Sequence, residues 1–330
     1  MKKILLYFFL GLLLLLIIGG IVGARYIQNQ WFRDRPNYVS LTASGAPIPF
    51  AWDTTQYPDH VELHDAMRVP VRIPGLPFKF YMQWDTGSPL SFWNKSTVSA
   101  LQRYGRSWEV EAKEETQWLK DVQLEVGSMP VEMTRLRLLH QGAEWDLGDT
   151  LAEYRLGTLG TDLMEGHVTL VDFARQELRF FAKKPAWMDT LPAFQSFDFQ
   201  GRRLMLPATI QGKEMELFYD SGASAFGLLT SKNRYDAYTD PDEPEIHYEA
   251  NAFGNDIPVY HKLSPIVATM GGTKVPLQRI SYVKWYDKMQ GFLSSFTDIG
   301  GWMGNLPFLE TVLIVDAQTQ SFLVLPNHGL

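Results

Sequence analysis

Two stretches of this chain follow one plan, and that repetition limits the available folds more than any other feature. VRIPGLPFKFYMQWDTGSPLSFW starts at Val71, and ATIQGKEMELFYDSGASAFGLL starts at Ala208. Each runs through an extended segment, a Gly-containing turn, a second extended segment, an Asp-[Thr/Ser]-Gly triplet and a hydrophobic run. Each has a later companion: LGTDLMEGHVTLVDFARQELRFF from Leu159, and MGNLPFLETVLIVDAQTQSFLVL from Met303. Gly160 to Asp172 spans 12 residues, as does Gly304 to Asp316, while Asp85 to Gly160 spans 75 and Asp220 to Gly304 spans 84. At average composition, an Asp-[Ser/Thr]-Gly triplet arises by chance in roughly one chain of this size in six or seven, and two copies in about one in a hundred. The matched flanks lower that figure further. The spacing implies a duplicated unit of about 130 to 140 residues.

The unit is built of strands. Apolar runs of four to eight residues (VQLEV, ATIQG, VTLVDF, ELRFF, VLIVD) alternate with Gly, Pro, Asn and Asp, the pattern of short strands separated by turns. Short helices are expected only near 96–104 and 231–238. Residues 25–65 read as a tether that becomes the edge of the fold, 66–190 as the first lobe and 191–330 as the second.

The two triplets and their companions resemble the pepsin-like aspartic proteases. The loops are Asp85-Thr86-Gly87-Ser88 and Asp220-Ser221-Gly222-Ala223, and the apolar-apolar-Gly segments are Thr158-Leu159-Gly160 and Trp302-Met303-Gly304. The resemblance covers about residues 66 to 330. It implies an all-β fold of two similar β-barrel lobes with a cleft between them. Each lobe would give one aspartate to a shared site, with Leu159-Gly160 and Met303-Gly304 packing beneath the loops. Asp85 and Asp220 would then be the catalytic pair, with Thr86, Gly87, Ser88, Ser221, Gly222 and Ala223 as loop support.

The residue chemistry points the same way. Glycine permits a tight loop and close backbone approach, and Thr and Ser hydroxyls bond locally to hold it. Two adjacent carboxylates cannot both ionise, so the pair shares a proton: one member takes a proton from water, the other donates to the scissile carbonyl. Ala223 lacks the hydroxyl that Ser88 keeps. A lost donor should raise the pair's pKa values and move the pH optimum to about 5 to 6. The flap that covers pepsin clefts should lie in 107–128, where the usual Tyr-Gly is missing; Trp118 and Trp108 are the candidates to cap the site, against the alternative that each is simply packed.

Other chemistries find little support. The chain of 330 residues has no cysteine, which excludes disulfides, thiolate metal sites and a cysteine nucleophile. Its net charge of −7, without a basic run, speaks against nucleic acid. His60 and His64 are four apart, but Pro58 argues against the helix a metal pair would need, so no metal or other cofactor is expected. Asp172 and Asp316 read as structural residues at strand ends.

The first residues address the compartment. Lys2-Lys3 precede an uncharged apolar stretch, residues 4–24, long enough to cross a bilayer as a helix. A cleaved signal peptide, with small Val22 and Ala24 before the cut, is the alternative. The expectation is a single-pass anchor in a bacterial inner membrane, with the catalytic part facing the periplasm. The function expected is endopeptidase action on peptides or unfolded protein segments. The alternative is a catalytically silent peptide-binding or scaffold module on the same fold.

Overall fold

The computed structural model describes residue 23 and residues 32–284 and 299–327, apart from 59, 114–115, 143 and 253–254. The expected membrane span, 4–24, lies outside the described residues save for Gly23. Among the described residues, no helix is long and apolar enough to cross a membrane.

The described chain is mostly β-strand, with two short α-helices at Lys95–Arg103 and Lys232–Tyr238. Its strands form two nine-stranded sheets and one six-stranded sheet. The duplication is visible in the pairing. In the first half, strand Lys79–Trp84 pairs antiparallel with Val61–Arg72 and parallel with Glu153–Leu159. The latter pairs antiparallel with Phe92–Asn94, which runs parallel to Met129–Leu139. In the second half, Lys213–Tyr219 pairs antiparallel with Leu204–Ile210 and parallel with Ile299–Met303. That strand pairs antiparallel with Leu228–Leu229, which runs parallel to Arg279–Val283. Both Asp-containing loops leave the end of the equivalent strand, Trp84 in one half and Tyr219 in the other.

The six-stranded sheet was not anticipated from the sequence. Each unit ends in a hairpin, Val168–Asp172 with Glu177–Phe181 and Thr311–Asp316 with Ser321–Pro326. The two hairpins join through their first strands, Leu170 opposite Ile314. Every residue of those first strands is buried. They have core on both faces, which is why VTLVD and TVLIVD are nearly continuous apolar runs instead of alternating ones. Met129–Leu139, with a single core face, alternates buried and exposed positions instead. Asp172 and Asp316 terminate their strands by accepting backbone N–H groups: Arg175 N at 2.9 Å for one, Gln318 N at 2.9 Å for the other.

The tether is more structured than its sequence suggests. Val39–Leu41 adds an edge strand to Met129–Leu139, and Ala51–Gln56 forms a hairpin with Val61–Arg72. The end of that hairpin crosses to the second half. Tyr57 packs on Tyr248 at 4.4 Å between ring centroids, and Glu62 pairs with Arg279. His60 and His64 therefore belong to an extended arm. His60 Nε2 lies 3.2 Å from Glu62, and His64 sits edge-on to Trp52. Among the described residues no group of three His, Asp or Glu side chains is placed to hold a metal ion.

Candidate active site

The two Asp loops meet. The carboxyls of Asp85 and Asp220 are within hydrogen-bonding reach of one another, and each residue as a whole is half-buried. Behind them the loops are bound by a reciprocal network. Thr86 N donates to Ser221 Oγ at 2.9 Å, and Ser221 N donates to Thr86 Oγ1 at 2.8 Å. Each hydroxyl then donates across to the strand end of the other half: Thr86 Oγ1 to Tyr219 O at 2.9 Å, and Ser221 Oγ to Trp84 O at 3.1 Å. Thr86 and Ser221 are 1% and 0% exposed, so each hydroxyl satisfies groups that water does not reach. A hydroxyl both donates and accepts, which is why Thr and Ser alone among small side chains can fill these positions.

Glycine is needed where the halves touch. A Cβ on Gly87 would meet Asp220 Oδ2 at 2.6 Å, and a Cβ on Gly222 would meet Asp85 Oδ2 at 2.8 Å. Without side chains there, each loop's backbone closes on the carboxylate of its mate. Gly87 N donates to Asp85 Oδ1 at 2.8 Å, and Gly222 N and Ala223 N donate to Asp220 Oδ1 at 2.9 and 3.2 Å.

The apolar-apolar-Gly segments sit beneath the loops. Asp85 N donates to Leu159 O at 3.0 Å and Asp220 N to Met303 O at 2.9 Å. Thr161 N bonds Ser88 O at 2.9 Å, and Gly304 N bonds Phe226 O at 3.1 Å. A Cβ at Gly160 would collide with Ser88 O, and one at Gly304 with Ala223 O.

One expectation needs correcting. Ser88 Oγ donates to Leu90 O at 2.7 Å, so its hydroxyl is spent within the loop and not on Asp85. Ala223 therefore costs Asp220 no donor that Asp85 enjoys, and the donor argument for an elevated pH optimum lapses. The two carboxyls are nonetheless raised, for another reason. Burial, then the neighbouring Asp220 charge, push Asp85 well above the usual carboxylate range. Burial raises Asp220 too, against the pull of its backbone donors and of Arg203.

Several residues here escaped the sequence reading. In the first half Asp162, two residues after Gly160, accepts Ser91 N at 2.6 Å and Ser91 Oγ at 2.7 Å. Burial raises it to about 6 in spite of those bonds. In the second half Asn305 follows Gly304; it accepts Tyr219 O–H at 2.7 Å and donates to Ser221 O at 3.2 Å and Ser224 Oγ at 3.0 Å. A polar residue one or two positions after each apolar-Gly pair was the available signal. Two arginines brace the loops as well. Arg279, paired to Glu62 of the first half, donates from Nε to Ala225 O at 2.7 Å. Arg203 of the second half donates from Nη1 to Gly87 O at 3.3 Å.

Trp118 and Trp108 are packed. Trp118 lies edge-on to Tyr38 at 5.6 Å, and Trp108 edge-on to Trp93 at 5.2 Å. The hairpin Val110–Lys113 with Thr116–Val126 occupies the flap region of the sequence, and its tip, 114–115, lies outside the described residues.

No family model matches the chain, and no curated protein matches it. Among solved structures, the chain is similar to an aspartic proteinase from Irpex lacteus, with a TM-score of 0.44 and 11% identity over 86% of this chain and 98% of that one.

Proposed function

We propose that the chain is an aspartic endopeptidase of the pepsin-like type, with Asp85 and Asp220 as its catalytic pair. The observation that carries this reading is the meeting of two carboxyls from equivalent loops, backed by one reciprocal hydrogen-bond network. Such a pair holds one proton between two oxygens that face each other. The ionised member takes a proton from a bound water as its oxygen attacks the peptide carbonyl carbon. The protonated member donates to the carbonyl oxygen. The tetrahedral species collapses as the C–N bond breaks and the departing nitrogen takes a proton, with no covalent enzyme intermediate. The substrate would be a peptide or an unfolded segment bound in extended form, its main chain hydrogen-bonded to the walls between the halves. Residues 4–24 would anchor the chain in a bacterial inner membrane, with the pair facing the periplasm.

The test is digestion of denatured proteins by the full chain in detergent between pH 3 and 8, with new termini read by mass spectrometry. Cleavage lost in both Asp85→Asn and Asp220→Asn supports the reading. Cleavage that persists in either variant sinks it. A chain that binds peptides and cleaves none at any pH is instead a silent binding module on the same fold.

A further inference from the structure

The loop that follows Asp220 is gripped at both ends. Its start is held by Ser221, whose N–H and hydroxyl are locked to Thr86 and Trp84 of the first half. Its far end is held at Ala225, whose carbonyl oxygen accepts both Nε of Arg279, at 2.7 Å, and Nη2 of the same side chain. Between the two grips lie Gly222 N and Ala223 N, the donors that hold Asp220 Oδ1. The return is tight. A Cβ on Gly227 would collide with Leu277 O and Arg279 O, so the segment closes against the strand that Arg279 begins, Arg279–Val283.

Arg279 is buried, and a buried guanidinium needs an opposite charge. Glu62 of the first half provides it and is itself buried. Glu62 is held in turn. His64 N donates to its Oε1 at 3.4 Å, and His60 Nε2 lies 3.2 Å from its Oε2. Glu62 belongs to strand Val61–Arg72, and five residues further on Met67 of that strand pairs with Trp84, the residue before Asp85. One strand of the first half thus supports the strand end bearing Asp85 directly and reaches the loop of Asp220 through Arg279.

From this we propose that Glu62 is a positioning residue: through Arg279 and Ala225 O it fixes the tilt of the Gly222–Ala223 backbone, and so the direction in which the Asp220 carboxyl faces Asp85. The inference rests on the peptidase reading. Two bonds from one rigid, planar guanidinium to one carbonyl fix direction as well as distance. Glu62 sets where that guanidinium stands, because a buried cation stays with its counter-charge. Proton sharing and attack by water both depend on how the carboxyls face each other, and a misplacement of about 1 Å can cost on the order of 100-fold in rate.

The experiment separates position from charge and from stability. A quenched fluorescent peptide, its sequence taken from a site that the full chain cuts in denatured protein, is hydrolysed by full-length native chain and variants in detergent between pH 3 and 8. Glu62→Gln should lower kcat by about 10- to 100-fold and change KM by less than about twofold. It should also move the acidic limb of the pH–rate profile to higher pH by about half a unit or more, because misaligned Gly222 and Ala223 donors favour the ionised Asp220 less. An unanswered Arg279 charge acting at a distance would move that limb the other way, to lower pH. Should Glu62→Gln alone fail to fold, the double variant Glu62→Gln with Arg279→Met removes the unpaired cation. That variant should recover the native unfolding midpoint without recovering kcat, since Ala225 O still lacks its two donors. Arg279→Lys, which keeps a charge for Glu62 and loses the fork, should give a kcat between. Native kcat with an unmoved acidic limb in Glu62→Gln, a limb displaced to lower pH, or a kcat that returns with stability in the double variant each overturns the proposal and leaves the peptidase reading standing. A native chain that cuts no peptide at any pH overturns both.

Discussion

The loops Asp85–Ser88 and Asp220–Ala223 perform the same task with different neighbours. Both carry an aspartate at a strand end, a hydroxyl residue locked into the opposite half, and a glycine pressed against the other carboxylate. Beneath them the halves diverge. The first loop is held through Ser91 and a buried ionisable carboxyl, Asp162. The second is held by a neutral amide, Asn305, together with Tyr219. The pairing scheme of the strands is shared, so strand geometry sets where the aspartates stand. The chemistry of the supports is free to vary, provided each buried polar group finds a partner. The difference makes the first half the one whose support responds to pH.

The strongest test of equivalence is catalytic. Asp85→Asn and Asp220→Asn should each lower kcat/KM by about 10³-fold, by equal amounts within a factor of a few, since a shared proton needs both carboxyls. A loss confined to one variant would break the symmetry on which the assignment rests. Neither change should lower the unfolding midpoint, because a neutral amide relieves two carboxyls that repel.

Next in size is the reciprocal network. Ser221→Ala leaves Thr86 N and Trp84 O without their partner, and Thr86→Val does the same to Ser221 N and Tyr219 O. Each variant should lose about 2 to 4 kcal/mol of stability in chemical denaturation, as two buried groups are orphaned at once. The two losses should match. A marked inequality would show that one half supports the interface more than the other.

The pH response separates the halves. Asp162 has its folded pKa raised to about 6 from an ordinary value of 3.8, so the folded chain holds its proton more tightly than the unfolded one. Its contribution is fully present below about pH 4 and is lost as pH rises through 6, on the order of 3 kcal/mol at most. Asp85 and Asp220, also raised, act in the same direction. Asp162→Asn should therefore flatten part of the decline in denaturant midpoint between pH 4 and 7. Replacing the polar support of the second half, Asn305→Gln, should change the level of that curve and not its slope. The smallest effect expected is that of Ala223→Ser. Because Ser88 spends its hydroxyl on Leu90 O, a hydroxyl at 223 should move the pH–rate profile by less than about half a pH unit. A larger shift would mean that the second loop uses that position differently from the first.

The candidate site was legible because it depends on local pattern. Asp-[Thr/Ser]-Gly, the following hydrophobic run and the distant Gly partner each recur at fixed spacing, and a duplicated unit folds twice in the same way. Ser88 was misjudged because a hydroxyl's partner is chosen by loop geometry, and Leu90 O lies closer to hand than the carboxylate. The joined hairpins of the six-stranded sheet were read as the ends of separate units. Nothing in VTLVD or TVLIVD says which edge will pair.

The sequence by itself determined the β class, the duplication and the two aspartates, since these follow from periodicity, turn residues and repeated motifs along the chain. Only the tertiary structure decided what stands around the pair. Arg203 is 116 positions from Gly87, and Glu62 is 217 from Arg279. Contacts over such separations are selected by packing of the whole chain, where a buried charge or donor must be answered by whichever group the fold brings near.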